Sequence, residues 1–298
     1  MKQIHKNLFI SLATVSLLFS GCNRNDDTTS MDNTTSTEKT AYLIDSAVEG
    51  IDFTCGTLTG TTDSTGKFTY DTTKCPTGVE FKLGSLSLGT INPSAINTDT
   101  YLTIQELAGT TRDNVTDGNV TKLAVLLQSL DDNNNSNDGI LITQNIKNLF
   151  IVDENLSSKT DSNISSFITI SGKMEKDVHT ALAHLLAYTK SKDSSVTTII
   201  TPTDFNLTSV TVSDLNTSTP SNTITIRGLT NETYITISNG SEYKINNGEW
   251  KSTKSLVRND DNVTVRHTTA NIFGLTITTT LKIGGVTKTF VSRTADNK

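Results

Sequence analysis

The sequence predicts a mainly β protein with a small helical layer: an N-terminal β module plus helices, then a C-terminal antiparallel β-sandwich. Three observations carry this expectation. From Ala41 to Ile91, short runs alternate apolar and polar residues between Gly, Asp and Thr turns, as strands with one buried face do. Over residues 101–190 the apolar spacing shifts to the period of helices. From Thr203 onward, alternation returns and persists to the end.

The chain opens MKQIHKNLFISLATVSLLFSGCNRN. Lys2 and Lys6 form a basic start, and Leu8 to Phe19 is a 12-residue apolar run. That run is too short to cross a bilayer as a helix and suits a signal-peptide core. Ser20 and Gly21 then lead into Cys22. These residues resemble the lipobox of bacterial lipoproteins, with Phe19 where a leucine is usual. The resemblance implies that residues 1–21 are removed and that Cys22 carries diacylglycerol and a further acyl group. The membrane would thus be a partner through lipid, since two or three chains anchor stably where one does not. Asn23, rather than aspartate, follows the cysteine, and that implies the outer membrane of a bacterial envelope. Residues 22–40 are polar and read as a flexible tether, because they hold too little apolar surface to offset the entropy of ordering.

With Cys22 assigned to lipid, Cys55 and Cys75 remain as an even pair in an oxidising compartment, and a disulfide is the simple reading. Closing a loop of that length is worth about 3 kcal/mol in the chain-entropy model. Removal of residues 1–21 leaves 23 basic against 31 acidic residues, a balance of −8. No basic cluster offsets it, so nucleic acid is excluded as a partner class.

The first module covers residues 41–200. Within it, Asp63-Ser64-Thr65-Gly66 is a turn in which the Asp side chain can bond back to the backbone and Gly66 supplies a positive φ, here expected to close a hairpin. The strings DSAVEGIDFTCG, GTTDSTGKFTY and VEFKLGSLSLG resemble a module repeated in bacterial exported lipoproteins and surface proteins. The turn pattern also resembles carboxypeptidase-regulatory-like β-sandwiches. The likeness extends through LQSLDDNNNSNDGI, covers about residues 41 to 190, and implies location and fold rather than activity.

The helices follow from spacing. Val120, Leu123, Leu127 and Leu130 mark one face, with Asn119 as a candidate N-cap. Thr143 is placed to cap a short helix through Ile146, Leu149 and Phe150. A further helix is expected from about Glu175 to Lys190, with Val178, Leu182, Leu185 and Leu186 on its apolar side. The segment LSSKTDSNISS between them reads as loop.

Residues 203–298 hold six alternating runs joined by turns at Asn239-Gly240, Asn247-Gly248 and Gly284-Gly285. Asn-Gly between such runs signals a hairpin, and the regular spacing argues an immunoglobulin-like sandwich. YKINNGEW, VTVRHTT and LKIGGVTKTF also resemble a recurrent β-sandwich module of bacterial surface proteins. Trp250 is expected at the core or rim.

Chemistry is sparse. His179 and His184 are five apart on a helix and face differently, His267 lies in a strand, and no HExxH, GxSxG, P-loop or dinucleotide glycine pattern occurs. No catalytic residue is assigned. The preferred function is non-enzymatic: binding an unknown envelope or surface ligand, or structural display. The alternative is an envelope-polymer hydrolase with its site where the helices meet the first module.

One motif invites a cofactor. In LDDNNNSNDGIL, Asp131, Asn133 and Asn135 have the 1, 3, 5 spacing of a calcium loop, and Asp132 or Asp138 could add a carboxylate. Yet Ser136 stands where an EF-hand has glycine, and Ile142 where it has glutamate. With so few carboxylates, a solvated turn is favoured over a calcium site.

Overall fold

The computed structural model describes residues 37–297; the signal-peptide assignment, Cys22 and most of the tether lie outside the described residues. The described chain is mainly β with a helical layer, as the patterning implies. Strand β1 (Glu38–Ile44) begins earlier than Ala41: Glu38, Lys39 and Thr40 face Asp71, Tyr70 and Thr69. Their side chains carry no apolar signal, because backbone pairing alone places them in the sheet.

The first module comprises β2 (Val48–Glu49), β3 (Asp52–Cys55), β4 (Leu58–Thr61), β5 (Lys67–Asp71), β6 (Val79–Leu83), β7 (Leu86–Ile91), β8 (Tyr101–Thr103), α1 (Ile104–Leu107), α2 (Gly118–Leu130), β9 (Ile140–Leu141), α3 (Gln144–Lys147), β10 (Glu154–Asn155), α4 (Asp161–Ile170) and α5 (Val178–Lys192). One sheet runs β5-β1-β8 and a second runs β10-β7-β6-β3-β4. The turn at 63–66 forms as its residues dictate. Asp63 Oδ1 accepts from the amides of Thr65 (2.9 Å) and Lys67 (3.1 Å), and Gly66 takes φ 77°. It does not close a hairpin, however. Strand β4 pairs with β3 and β5 with β1, so the turn is a corner between sheets. Gly66 is needed there because a Cβ would lie 2.3 Å from the Leu43 carbonyl oxygen. The Cys55–Cys75 disulfide, with Cα atoms 4.7 Å apart, ties the end of β3 to the turn after β5 and so joins the two sheets.

Helix α2 is buried on every side from Val120 to Leu130, which makes it the centre of the first core rather than a surface helix. Its polar side chains find partners, except that Gln128 Oε1 is left without one among the described residues. The Thr121 hydroxyl meets Tyr234 Oη at 3.2 Å, and Lys122 Nζ donates to the Leu156, Ser157 and Lys159 carbonyls. Gln128 Nε2 donates to Asp45 and to the Ala181 carbonyl. The cap of α2 is Asp117, not Asn119: its Oδ1 accepts from Asn119 N at 2.8 Å. Helix α5 is capped by Asp177 and starts at Val178 rather than Glu175. Thr143 stands at the N-cap of α3 without a side-chain bond, and that helix stops at Lys147.

The segment read as loop contains α4. Thr160 and Asn163 form a reciprocal capping box, and Ile164 and Ile168 bury one stripe. Serines on its open face masked a helix whose start signal was present.

The C-terminal strands are β11 (Val210–Val212), β12 (Ser218–Pro220), β13 (Ile224–Thr225), β14 (Thr233–Ile237), β15 (Ser241–Ile245), β16 (Ser255–Val257), β17 (Asn262–Thr268), β18 (Thr276–Ile283) and β19 (Val286–Thr294). One sheet is β11-β19-β18-β14-β16; in the other, β17 pairs with β12 and β13 on one side and with β15 on the other. Between them lies a second core that includes Ile226, Ile235, Tyr243, Val263, Val265, Leu281 and Phe290. All pairings are antiparallel except the edge strand β11, which runs parallel to β19. Gly284 and Gly285, at φ 51° and 92°, close the β18–β19 hairpin as a two-residue turn. Asn239-Gly240 does not close one: β14 and β15 belong to opposite sheets, so this turn is again a corner.

Strands β14 and β18 also meet the helices. Tyr234 is buried in the first core, His179 Nε2 lies 3.0 Å from the Thr236 hydroxyl, and Lys282 pairs with Asp177 at 2.6 Å.

Candidate functional site

The two stretches that carry the module resemblance pack against each other. The Ser46 hydroxyl donates to the Ser136 carbonyl at 2.6 Å, and β2 runs parallel to β9. Gly50, at φ 90°, passes so close to Ile142 that a Cβ would sit 2.1 Å from its carbonyl oxygen. The acidic loop therefore closes over the DSAVEG turn.

Within the loop, each candidate calcium ligand has a protein partner. Asp131 is buried; its Oδ2 accepts from Asn135 N at 2.8 Å and its Oδ1 from Leu141 N at 2.9 Å. Asn133 and Asn135 both turn their amide nitrogens, not their oxygens, toward Asp138, at 3.1 Å in each case. Asp132 is half exposed, 3.9 Å from Lys173. Lys173 Nζ also donates to the Asp131 and Asp132 carbonyls, and Lys176 Nζ to that of Asn134. Two ammonium groups thus occupy carbonyl oxygens that a cation would want. Among the described residues, no group of three or more His, Cys, Asp or Glu is arranged to hold a metal.

Three carboxylates converge near the junction of helices and first module. Asp99, Glu106 and Asp193 surround Arg112, at 2.5, 3.0 and 3.1 Å. The Arg112 guanidinium holds Asp99 below the usual carboxylate range, and the Ser195 hydroxyl, foremost, does the same for Asp193. Three carboxylates gathered around one buried guanidinium make a structural clamp. A lowered pKa makes Asp99 and Asp193 poor donors of the proton that glycosidic hydrolysis takes from its acid.

The histidines are packed. His267 lies between the Thr279 and Ser292 hydroxyls, at 2.7 and 2.6 Å, and stacks on Phe290. His184 meets the Asp45 carbonyl at 3.1 Å. Burial lowers the pKa of His179 to about 4, opposed by Asp177 and assisted by Lys282 and Lys254. Because the folded value lies below the unfolded one, stability is full above the unfolded pKa and falls as pH drops toward the folded value. Between pH 6.5 and 4 the unfolded chain binds the additional proton, and the loss amounts to about 2 kcal/mol near pH 5. Asp45 has the opposite sign: burial raises its pKa, so its cost grows as pH rises from the ordinary carboxylate range up to that raised value. Melting scans of wild type and His179→Gln from pH 7 to 4.5 should show the steeper fall in wild type; parallel curves would refute the assignment.

The outer face of the β17 sheet offers a different site. Alternation sends Val263, Val265 and His267 inward, and leaves Asn262, Thr264 and Arg266 on the outer side beside Glu242 and Lys244 of β15. After β15 the chain turns at Asn246 (φ 53°) and folds back, Lys251 pairing with Tyr243, which sets Trp250 beside Lys244. Trp250 is half-buried at the rim, with the Arg266 guanidinium 4.1 Å and Lys244 Nζ 5.2 Å from its ring centre. The groove so formed, about 690 Å³, is walled by Ser221, Thr223, Lys244, Asn246, Asn247, Trp250, Asn262 and Thr264, with Pro220 at one end.

Its polar groups are held in place. Asn246 Oδ1 accepts from Asn262 N at 2.9 Å while its Nδ2 donates to Asp261 at 2.7 Å. The Thr223 and Thr264 hydroxyls bond each other at 2.7 Å, and Thr225 donates to Asn262 Oδ1 at 2.7 Å. Sequence reasoning named Trp250 but not this face. Its parts come from strands 40 residues apart in a chain where Asn and Thr are everywhere.

No family model, curated protein or solved structure matches the chain.

Proposed function

We propose that the chain is a lipid-anchored protein of the bacterial cell envelope whose folded body binds a ligand and catalyses no reaction. The observation that carries this reading is the outer groove at Trp250. Its walls are amides, hydroxyls and one lysine on a rigid sheet, without an acid or a nucleophile paired to a base. Such a wall recognises a partner by shape and hydrogen bonds. The acidic loop serves, in this reading, as a self-satisfied turn that closes the first module without calcium. The Ser20-Gly21-Cys22 stretch supports acylation at Cys22 and, with Asn23, an outer-membrane address.

Two arms test it. Cys22→Ser should shift the protein out of the membrane fraction and remove a lipid-dependent mass increment; unchanged fractionation would refute the anchor. For the binding role, detergent-solubilised envelopes should yield a partner that wild type retains and the double variant Lys244→Gln/Asn262→Ala releases. Equal recovery by both proteins would refute the groove as the binding surface.

A further inference from the structure

We infer that the groove at Trp250 binds an acidic polysaccharide, a sugar chain bearing carboxylates, with Lys244 as the carboxylate contact and the Asn and Thr walls on the hydroxyls. The inference rests on the binding role proposed above and names its ligand class.

Charge points to an anion. The chain has 31 acidic and 25 basic residues, yet the groove wall contains a lysine and no carboxylate. Lys244 forms no ion pair among the described residues; its ammonium lies only over the indole. Arg266 is held by Glu242 at 2.7 Å, so its charge is already answered and Lys244 remains the cation available to a ligand.

The rest of the wall points to hydroxyls. The amide nitrogens of Asn247 and Asn262 have no hydrogen-bond partner among the described residues, so both can donate. Thr223 and Thr264 retain lone pairs beyond the bond they share. Donors and acceptors thus share one surface, as the many hydroxyls of a sugar require. Because Asn246, Asn262 and the threonines are fixed by bonds behind the wall, little side-chain entropy is lost on binding. The groove crosses from the β12–β13 connection over β17 and β15 to Trp250. At ~4.8 Å per strand spacing, that is roughly 14 Å, a path for a chain rather than a pocket for one small acid. The indole, covered partly by Arg266, acts as an apolar end wall against a sugar ring.

Affinity electrophoresis of the full chain in gels containing polygalacturonate, or a neutral dextran of matched length, decides the matter. Retardation by polygalacturonate alone is expected, weakened by salt and reduced tenfold or more by Lys244→Gln/Asn262→Ala. Lys288→Gln, on the opposite sheet, should leave it unchanged, and unaltered melting of each variant separates binding from folding. Equal retardation by dextran, lost in the double variant, would overturn the acidic class but keep the groove as a binding surface. Retardation equal in wild type and double variant would overturn the site. No retardation by either polymer overturns the inference, and the envelope pull-down then decides the underlying reading separately.

Discussion

Replacing Cys55 and Cys75 together by serine should lower stability by about 3 kcal/mol and the melting midpoint by roughly 6–12 °C. The entropic part comes from the 20-residue separation of the two cysteines, which sets how much freedom the unfolded chain regains. The bond also connects two sheets. Cys55 ends β3, Cys75 follows β5, and both lie in the first core. Denaturant titration of oxidised wild type against the double serine variant measures the difference. A single free energy within about 1 kcal/mol of wild type would show that the corner at 63–66 suffices to hold the sheets together.

Asp131→Ala should cost about 3–4 kcal/mol, and by the same amount in millimolar calcium as in chelator. The carboxylate fixes the Asn135 and Leu141 amides, and hydrogen bonds to charged groups are worth about 1.5–3 kcal/mol each. Without it, both ends of the loop lose their clamp and β9 loses its approach to β2. If calcium were instead the organiser, wild type at a hundredfold excess over Kd would gain about 2.7 kcal/mol and the variant would gain nothing. Thermal melts of the two proteins, each with calcium and with chelator, separate these outcomes. A calcium-dependent rise confined to wild type would overturn the self-satisfied turn.

Much of the architecture was legible because burial writes a period into the sequence. The six C-terminal runs all contain strands, and the leucines of 120–130 lie in a helix. What was not legible has physical causes. Asn239-Gly240 and Asp63–Gly66 are sound turns, but turn chemistry fixes only the local reversal; whether the next strand pairs with its predecessor depends on which sheet has an open edge. Helix α4 was hidden by its serine face, although Thr160 and Asn163 announced its start. At the acidic loop the residue types were right for oxygen ligands. Only the folded loop reveals that Asn133 and Asn135 present nitrogen to Asp138. The Trp250 groove had no sequence signature beyond one tryptophan, since amide and hydroxyl walls are common composition here and acquire meaning through the cross-strand register of β15 and β17.

Strand β1 lies in the middle of its sheet, antiparallel to β5 and parallel to β8. The position has a mechanical meaning. A pull applied at Thr37, along the strand, meets the β5 ladder over residues 38–42 first, with the β8 ladder over residues 42–44 behind it, and loads the rungs of each in shear. The Thr37 hydroxyl, bonded to Asp71 at the neighbouring end of β5, closes the point where the load enters. Forced opening is governed by the rate of crossing that barrier rather than by equilibrium stability. A body held by its N-terminal side against drag or a captured polymer would therefore be loaded through a strand paired first to β5 and then to β8.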